Sequence, residues 1–194
     1  MTARDLIVEP LRPQDDDQLF DIFSDVVERR EGYPHEPPLT HDTFMSLWRG
    51  PGVVTVCART PDPDATVLGA YYLKPNYAGR AAHIANAGYV VARAARGAGV
   101  GRMLVEDSIQ RAPLLGFDAI MFNLVFVTNP ARRLYEELGW REIGRVPGAV
   151  GGDDALIYWR PVGGADRSAA DPSAADPSAA DPSAADPETE PQRP

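Results

Sequence analysis

Apolar and polar positions along the first 162 residues follow two periods, one helical and one strand-like. Leu19, Ile22, Phe23, Val26 and Val27 fall at i, i+3, i+4, i+7 and i+8 and predict a helix over 13–30. Its acidic first turn, Asp15-Asp16-Asp17, suits the positive end of the helix dipole. A stiff proline-rich loop follows at 31–38, and Thr40 is placed to cap a second helix carrying Phe44, Leu47 and Trp48. A short strand at 6–8 precedes these helices, and strands at 53–59, 66–76 and 82–91 follow them, the last two joined by a turn at Ala78-Gly79-Arg80. A helix over 100–111 comes next, closed by Pro113 and Gly116, and then a strongly apolar strand at 118–127. Asn129 as N-cap and Pro130 at the first helical position open a further helix that ends at Leu138-Gly139. Strands at 140–146 and 155–159 complete the pattern, giving the order β-α-α-β-β-β-α-β-α-β-β.

The pattern stops near residue 162. From Ser168 to Pro187 the chain reads Ser-Ala-Ala-Asp-Pro four times over. Proline at every fifth position forbids a continuous helix, and nothing large and apolar is available to bury. The expected organisation is one domain at 1–162 and a disordered acidic tail at 163–194. The tail carries seven acids and two arginines, a net of −5 out of −9 for the whole chain, so the domain itself stands near −4. That balance argues against a nucleic-acid binder driven by phosphate neutralisation. The single cysteine, Cys57, excludes an internal disulfide framework, and its apolar run Val53–Ala58 reads as core. There is no signal-peptide core near the start and no apolar run near the ~20 residues of a membrane span. The expectation is a cytoplasmic protein without membrane partners. Three scattered histidines and one cysteine offer no metal-ligand spacing.

The chemistry concentrates at Arg96-Gly97-Ala98-Gly99-Val100-Gly101, directly after the apolar strand Gly88-Tyr89-Val90-Val91. A strand runs into a glycine-rich turn, and a helix begins inside that turn. Glycines allow a tight bend and close approach to a ligand, and the first amides of a helix lack internal partners, so the turn is a ready anion site. It is neither the dinucleotide fingerprint nor a P-loop. Two further signals are Asn86 and Asn123, each set inside an otherwise apolar strand where asparagine is disfavoured. A buried amide there needs partners, and two amides on adjacent strands can hold a small polar molecule. The plain alternative for each is a satisfied core or bulge asparagine. His35, Glu36 and His83 are the titratable candidates for a base. Strand alternation places His83 on the face opposite Asn86, and no Ser-His-Asp constellation can be argued from spacing.

Arg96-x-x-Gly99-x-Gly101 after a Val-ending strand, in this element order, resembles motif A of the GCN5-related N-acetyltransferases (the GNAT superfamily). The resemblance implies an α/β (α+β) fold: a mixed, mostly antiparallel seven-stranded sheet with helices on both faces and splayed central strands that bind acetyl-CoA. It implies a cofactor site at Val90, Val91, Arg96, Gly97, Ala98, Gly99, Val100, Gly101 and Arg102, with no metal. Arg93 stands where the family usually has proline, a small departure because that role belongs to main-chain atoms. The resemblance also implies catalytic roles for Asn129, at the cofactor arm, and for Tyr135, as the acid that protonates the departing thiolate. For Asn129 the alternative is plain capping, and for Tyr135 core packing. His-Ile-Ala-Asn at 83–86, Phe-Asn-Leu-Val-Phe-Val-Thr-Asn at 122–129, Ala-Pro-Leu-Leu-Gly at 112–116 and Ile-Gly-Arg-Val-Pro at 143–147 are similar to the yeast proline-analogue (azetidine-2-carboxylate) acetyltransferases. That similarity implies Asn86 and Asn123 as acceptor-binding residues, a small imino-acid or amino-acid acceptor, and direct attack in a ternary complex. A homodimer is common in that group. The alternatives are acetylation of a protein N-terminus or lysine, and a non-catalytic acyl-CoA sensor.

Overall fold

In a computed structural model of the chain the described residues are 6–62 and 65–163; the repeat tail from 164 onward lies outside them. The elements are β1 (Ile7–Pro10), α1 (Asp16–Glu28), α2 (His41–Trp48), β2 (Val54–Arg59), β3 (Val67–Pro75), β4 (Ile84–Val91), α3 (Val100–Leu114), β5 (Ala119–Phe126), α4 (Arg132–Glu137), β6 (Arg141–Val150) and β7 (Asp153–Pro161). The order matches the sequence pattern element for element. The strands form one seven-stranded sheet in the order β1-β2-β3-β4-β5-β7-β6. Its single parallel contact is β4 with β5.

Strand alternation divides the interior into two cores. Val56, Ala58, Tyr71, Leu73, Ala85, Ala87 and Ile120 face α3, with Phe122, Tyr135 and Trp140 packed in the same cluster. Cys57, Ala70, Tyr72 and Val90 face α1 and α2, against Leu19, Phe23, Phe44 and Trp48. Cys57 is fully buried, and burial pushes its thiol up to about 11, so it is a core side chain and not a nucleophile.

The helix ends carry the aim of the chain. Thr40 caps α2 as expected, its hydroxyl accepting the Thr43 amide at 3.2 Å. Helices α1, α3 and α4 stop in one way. A residue with positive φ (Arg30, Gly116, Gly139) follows the helix, and the next amide reaches back five residues: Glu31 to Val26, Phe117 to Ala112 and Trp140 to Tyr135, each at 3.0 Å. The expected stop of α3 before Pro113 is corrected by this motif. Proline in the last turn keeps a helical φ, and the Gly116 reversal ends the helix after Leu114 instead. The start of α4 is also corrected. It begins at Arg132 with Ala131 as N-cap, because Asn129 and Pro130 form a turn of their own (Arg132 amide to Asn129 carbonyl, 3.2 Å). His83 precedes β4 and holds the Arg80 carbonyl at 3.1 Å, so it belongs to no strand face. The β6–β7 hairpin is longer than predicted, because Gly151 and Gly152, both at positive φ, close it between paired Val150 and Asp153.

One buried charge pair anchors α1 to the sheet. Arg59 of β2 bonds Asp15 at 2.8 Å, with both side chains about 95% inaccessible, and Glu9 stands 3.4 Å away. Removing one partner leaves an uncompensated buried charge. Asp15→Ala is expected to cost about 3 kcal/mol in urea unfolding. A loss under about 1 kcal/mol would show that Glu9 replaces it.

Candidate active site

Strands β4 and β5 stay paired only over Ile84–Ala119, Ala85–Ile120 and Asn86–Met121. Beyond that point they part, and the inner backbone edge of Ala87–Val91 has no strand partner. Unpaired backbone groups inside a protein need a partner, so the gap is built to receive one. A cavity of about 660 Å³ occupies it. β3, β4, β5, α4 and the 30–35 loop all contribute to its wall.

At one end lies the glycine turn. Gly97 and Gly99 have φ of +79° and +85°, which only glycine adopts without strain. Gly99 is the N-cap of α3, with no capping side chain and no acid in the first turn. The first-turn amides and the positive dipole end are therefore open to an anion. Val90, Val91, Arg96 and Gly101 line the cavity. Gly97, Ala98 and Gly99 shape the turn behind it, and Val100 is buried in the core beneath α3. Arg102 turns away to Glu137 of α4 at 2.6 Å. Arg96 is also engaged: it bonds Glu31 at 2.8 Å, tying the 30–35 loop to the turn, and holds that carboxyl below its ordinary range.

The middle and far end gather Asn86, Asn123, Asn129 and Tyr135 around the same cavity. Asn86 clamps the last parallel pair. Its amide donates to the Met121 carbonyl at 3.1 Å, and its oxygen accepts from the Tyr72 hydroxyl at 3.2 Å. Asn123 is not the buried amide that the strand pattern implies. β5 slips register against β7 between Phe122 and Val125, and this irregularity turns Asn123 outward, where it exchanges two bonds with Asn76 (3.1 and 2.7 Å). Asn129 accepts the Ala131 amide at 2.8 Å through its side-chain oxygen, so its amide group is left for the cavity, close to Gly32. The side chain thus braces the turn before α4 rather than capping the helix, and its amide group faces the cavity.

Tyr135 packs between Phe122 and Trp140, with ring centroids 4.8 and 5.9 Å away, and also lines the cavity. Burial raises its phenol well above the ordinary range, so it keeps its proton at neutral pH. Of the candidate bases, only His35 lines the cavity. Burial, then Lys74, lowers its pKa and keeps it neutral. Glu36 pairs with Arg30 at 2.9 Å.

Sequence reasoning missed Tyr33, Tyr72, Tyr89 and Asn76. Tyr33 donates to the Tyr89 carbonyl at 3.4 Å, and a Cβ on Gly88 would stand 2.5 Å from its hydroxyl. Tyr72 and Tyr89, aromatic residues in strands, read as core, and only the parting of β4 from β5 brings them to a cavity wall; Asn76 stands outside that wall as the partner of Asn123.

The Acetyltransferase (GNAT) family profile matches residues 17–140. N-acetyltransferase aca1 of Schizosaccharomyces pombe is 42% identical over 152 residues, covering 68% of this chain and 73% of its own. A GCN5-related N-acetyltransferase structure from Kribbella flavida is 39% identical, with a TM-score of 0.76 over 82% of this chain and 99% of that one. The chain belongs to the GNAT family. A Salmonella typhimurium structure titled as yncA with its cofactor acetyl-CoA shares the fold at 15% identity, TM-score 0.73, over 86% of this chain and 99% of that one.

This GNAT protein is therefore an acetyl-CoA-dependent N-acetyltransferase. The open amides of the α3 turn and the unpaired edge of β4 suit a phosphate-bearing, amide-bearing donor. Gly99→Val forces a β-branched side chain into positive φ at that turn. It is expected to raise KM for acetyl-CoA roughly tenfold or more with little change in acceptor KM. An unchanged KM for acetyl-CoA would remove the turn from the donor site.

Proposed function

We propose that this enzyme acetylates the amine of a small acceptor, an imino acid or amino acid, in the cavity between β4 and β5. The observation that carries the reading is that Asn86 and the exposed Asn123 line one cavity with Arg96 and Gly101 of the α3 turn, beside the loop tied down by Glu31 and Arg96. The loop tied to the turn favours a small acceptor over a protein N-terminus or lysine, which needs an open groove. The similarity of 83–86 and 122–129 to the proline-analogue acetyltransferases supports a cyclic imino acid.

Acetyl-CoA supplies an activated acyl group as its thioester, open to attack by a neutral amine. The chain's own residues do the rest. The main-chain edge at Val90 and Val91 fixes the donor and offers an amide to the carbonyl oxygen. Asn86 and Asn123 orient the acceptor, so both reactants share one cleft and the reaction draws on proximity. The free amide of Asn129 holds a water or the acceptor nitrogen, through which the amine's proton leaves. Tyr135, protonated throughout the neutral range, donates to the departing thiolate.

Thiol release from acetyl-CoA tests the reading with azetidine-2-carboxylate, proline, linear amino acids and an N-terminal peptide as separate acceptors. Selective turnover of the cyclic imino acids is expected. Turnover of the peptide alone would overturn the acceptor assignment, and acetyl-CoA binding without any turnover would favour the sensor. Asn123→Ala is the cleaner acceptor variant, since Asn123 is exposed and bonded only to Asn76. It is expected to raise acceptor KM about tenfold or more while thermal stability barely moves. Asn86→Ala also loses the Met121 and Tyr72 bonds and is expected to cost about 1–3 kcal/mol in addition.

Tyr135→Phe is expected to lower kcat roughly 100-fold. Because the folded phenol titrates above its ordinary value of 10.0, the wild-type kcat profile should show no alkaline decline below about pH 10. A declining limb near pH 8 that disappears in Tyr135→Phe would contradict this assignment.

A further inference from the structure

Among 19 basic side chains the sequence holds one lysine, Lys74, at the end of β3. It is paired directly with Asn86 across the β3–β4 ladder, and Tyr72 is paired with Gly88. Opposed residues of an antiparallel pair share a face, so Lys74, Tyr72 and Asn86 stand together on the acceptor side. The ammonium lies 5.3 Å from the centre of the Tyr72 ring, which holds it by cation–π attraction. The hydroxyl of that ring is already spent on Asn86. After burial, the charge of Lys74 is the second influence that lowers the pKa of His35, a residue of the cavity wall.

The cations that line the cavity are neutralised: Arg30 by Glu36 at 2.9 Å and Arg96 by Glu31 at 2.8 Å. Lys74 differs, because among the described residues no carboxylate lies within 4 Å of its ammonium. A cation without a carboxylate partner beside Asn86 is free to bind an anionic group, and in a domain near −4 it is a local point of attraction for an acidic acceptor. The donor inventory agrees. Asn86 has one N–H left after Met121, Lys74 has three, and together they match the two oxygens of a carboxylate.

We propose that Lys74 is the carboxylate anchor of the acceptor subsite, so that the enzyme requires an acceptor with a free carboxylate and rejects its amide or decarboxylated counterpart. This rests on the small-acceptor reading above. The arrangement also sets polarity. The carboxylate sits outward at Lys74 and Asn86, and the amine points along β4 toward Val90 and the thioester.

The test compares kcat/KM for proline, prolinamide and pyrrolidine, and for azetidine-2-carboxylate and azetidine, in wild type, Lys74→Arg and Lys74→Met. Wild type is expected to prefer the acid by roughly ten- to hundred-fold, the contribution of one charge-assisted contact. Lys74→Met should collapse that ratio to within about threefold, mainly through KM, and Lys74→Arg should keep most of it. A general loss from misfolding lowers all substrates together and leaves the ratio intact. A wild type that turns over amide and acid equally overturns the anchor and leaves the small-acceptor reading standing. So does a Lys74→Met enzyme that keeps full preference. Wild type inert toward every small amine overturns both. A second measurement needs no variant. Trinitrobenzenesulfonate labels one side-chain amine in this chain, and proline should slow its reaction at Lys74 several-fold where prolinamide does not. Equal protection by both would overturn the anchor.

Discussion

Everything at the site depends on the parting of β4 from β5 after the Asn86–Met121 pair. A closed sheet would satisfy both strands with their own hydrogen bonds and leave no room for a donor. Here the backbone edge from Ala87 to Val91 is left without a strand and leads straight to the open amides at the start of α3. One strand thus carries an amide-pairing edge and then an anion turn, in the order a long phosphate-bearing thioester needs them. Asn86 sits at the fork and holds the last pair together through Met121, so a residue of the cavity wall also fixes where the strands separate.

The second consequence is electrostatic. The cleft is walled by tyrosines whose burial holds their protons: Tyr72 is pushed up to about 12, and burial likewise raises Tyr33, Tyr89 and Tyr135 above their ordinary value. Such a wall adds no fixed negative charge, and low polarity strengthens each remaining polar contact. Charge stays at the rim, where Glu31 bonds Arg96 and Glu36 bonds Arg30. The Arg30 reversal at the end of α1 brings that rim into place, with φ of +55° at a residue that is not glycine.

Much of this was legible along the chain, and the reasons are local. The helical spacing of Leu19 to Val27, the Thr40 cap and the Gly-rich turn act within a few residues, and each produced the expected element. Errors arose where two local signals competed. Pro113 read as a stop, yet the Gly116 reversal decided the end of α3; Asn129-Pro130 read as a helix start, yet they form a turn before it. Asn123 read as buried, because alternation cannot foresee the irregularity that turns it outward.

By itself the sequence determined the element order, the anion turn and the presence of two misplaced asparagines, all properties of short stretches governed by periodicity and backbone preference. Only the tertiary structure decided that Tyr33, Tyr72, His35 and Asn76 join them, that Arg96 is shared with Glu31, and that Lys74 stands opposite Asn86. Those contacts join residues 12 to 65 positions apart, and they follow from strand register and from which face each side chain takes. Register is set by packing across the whole sheet, so no window of the chain contains it.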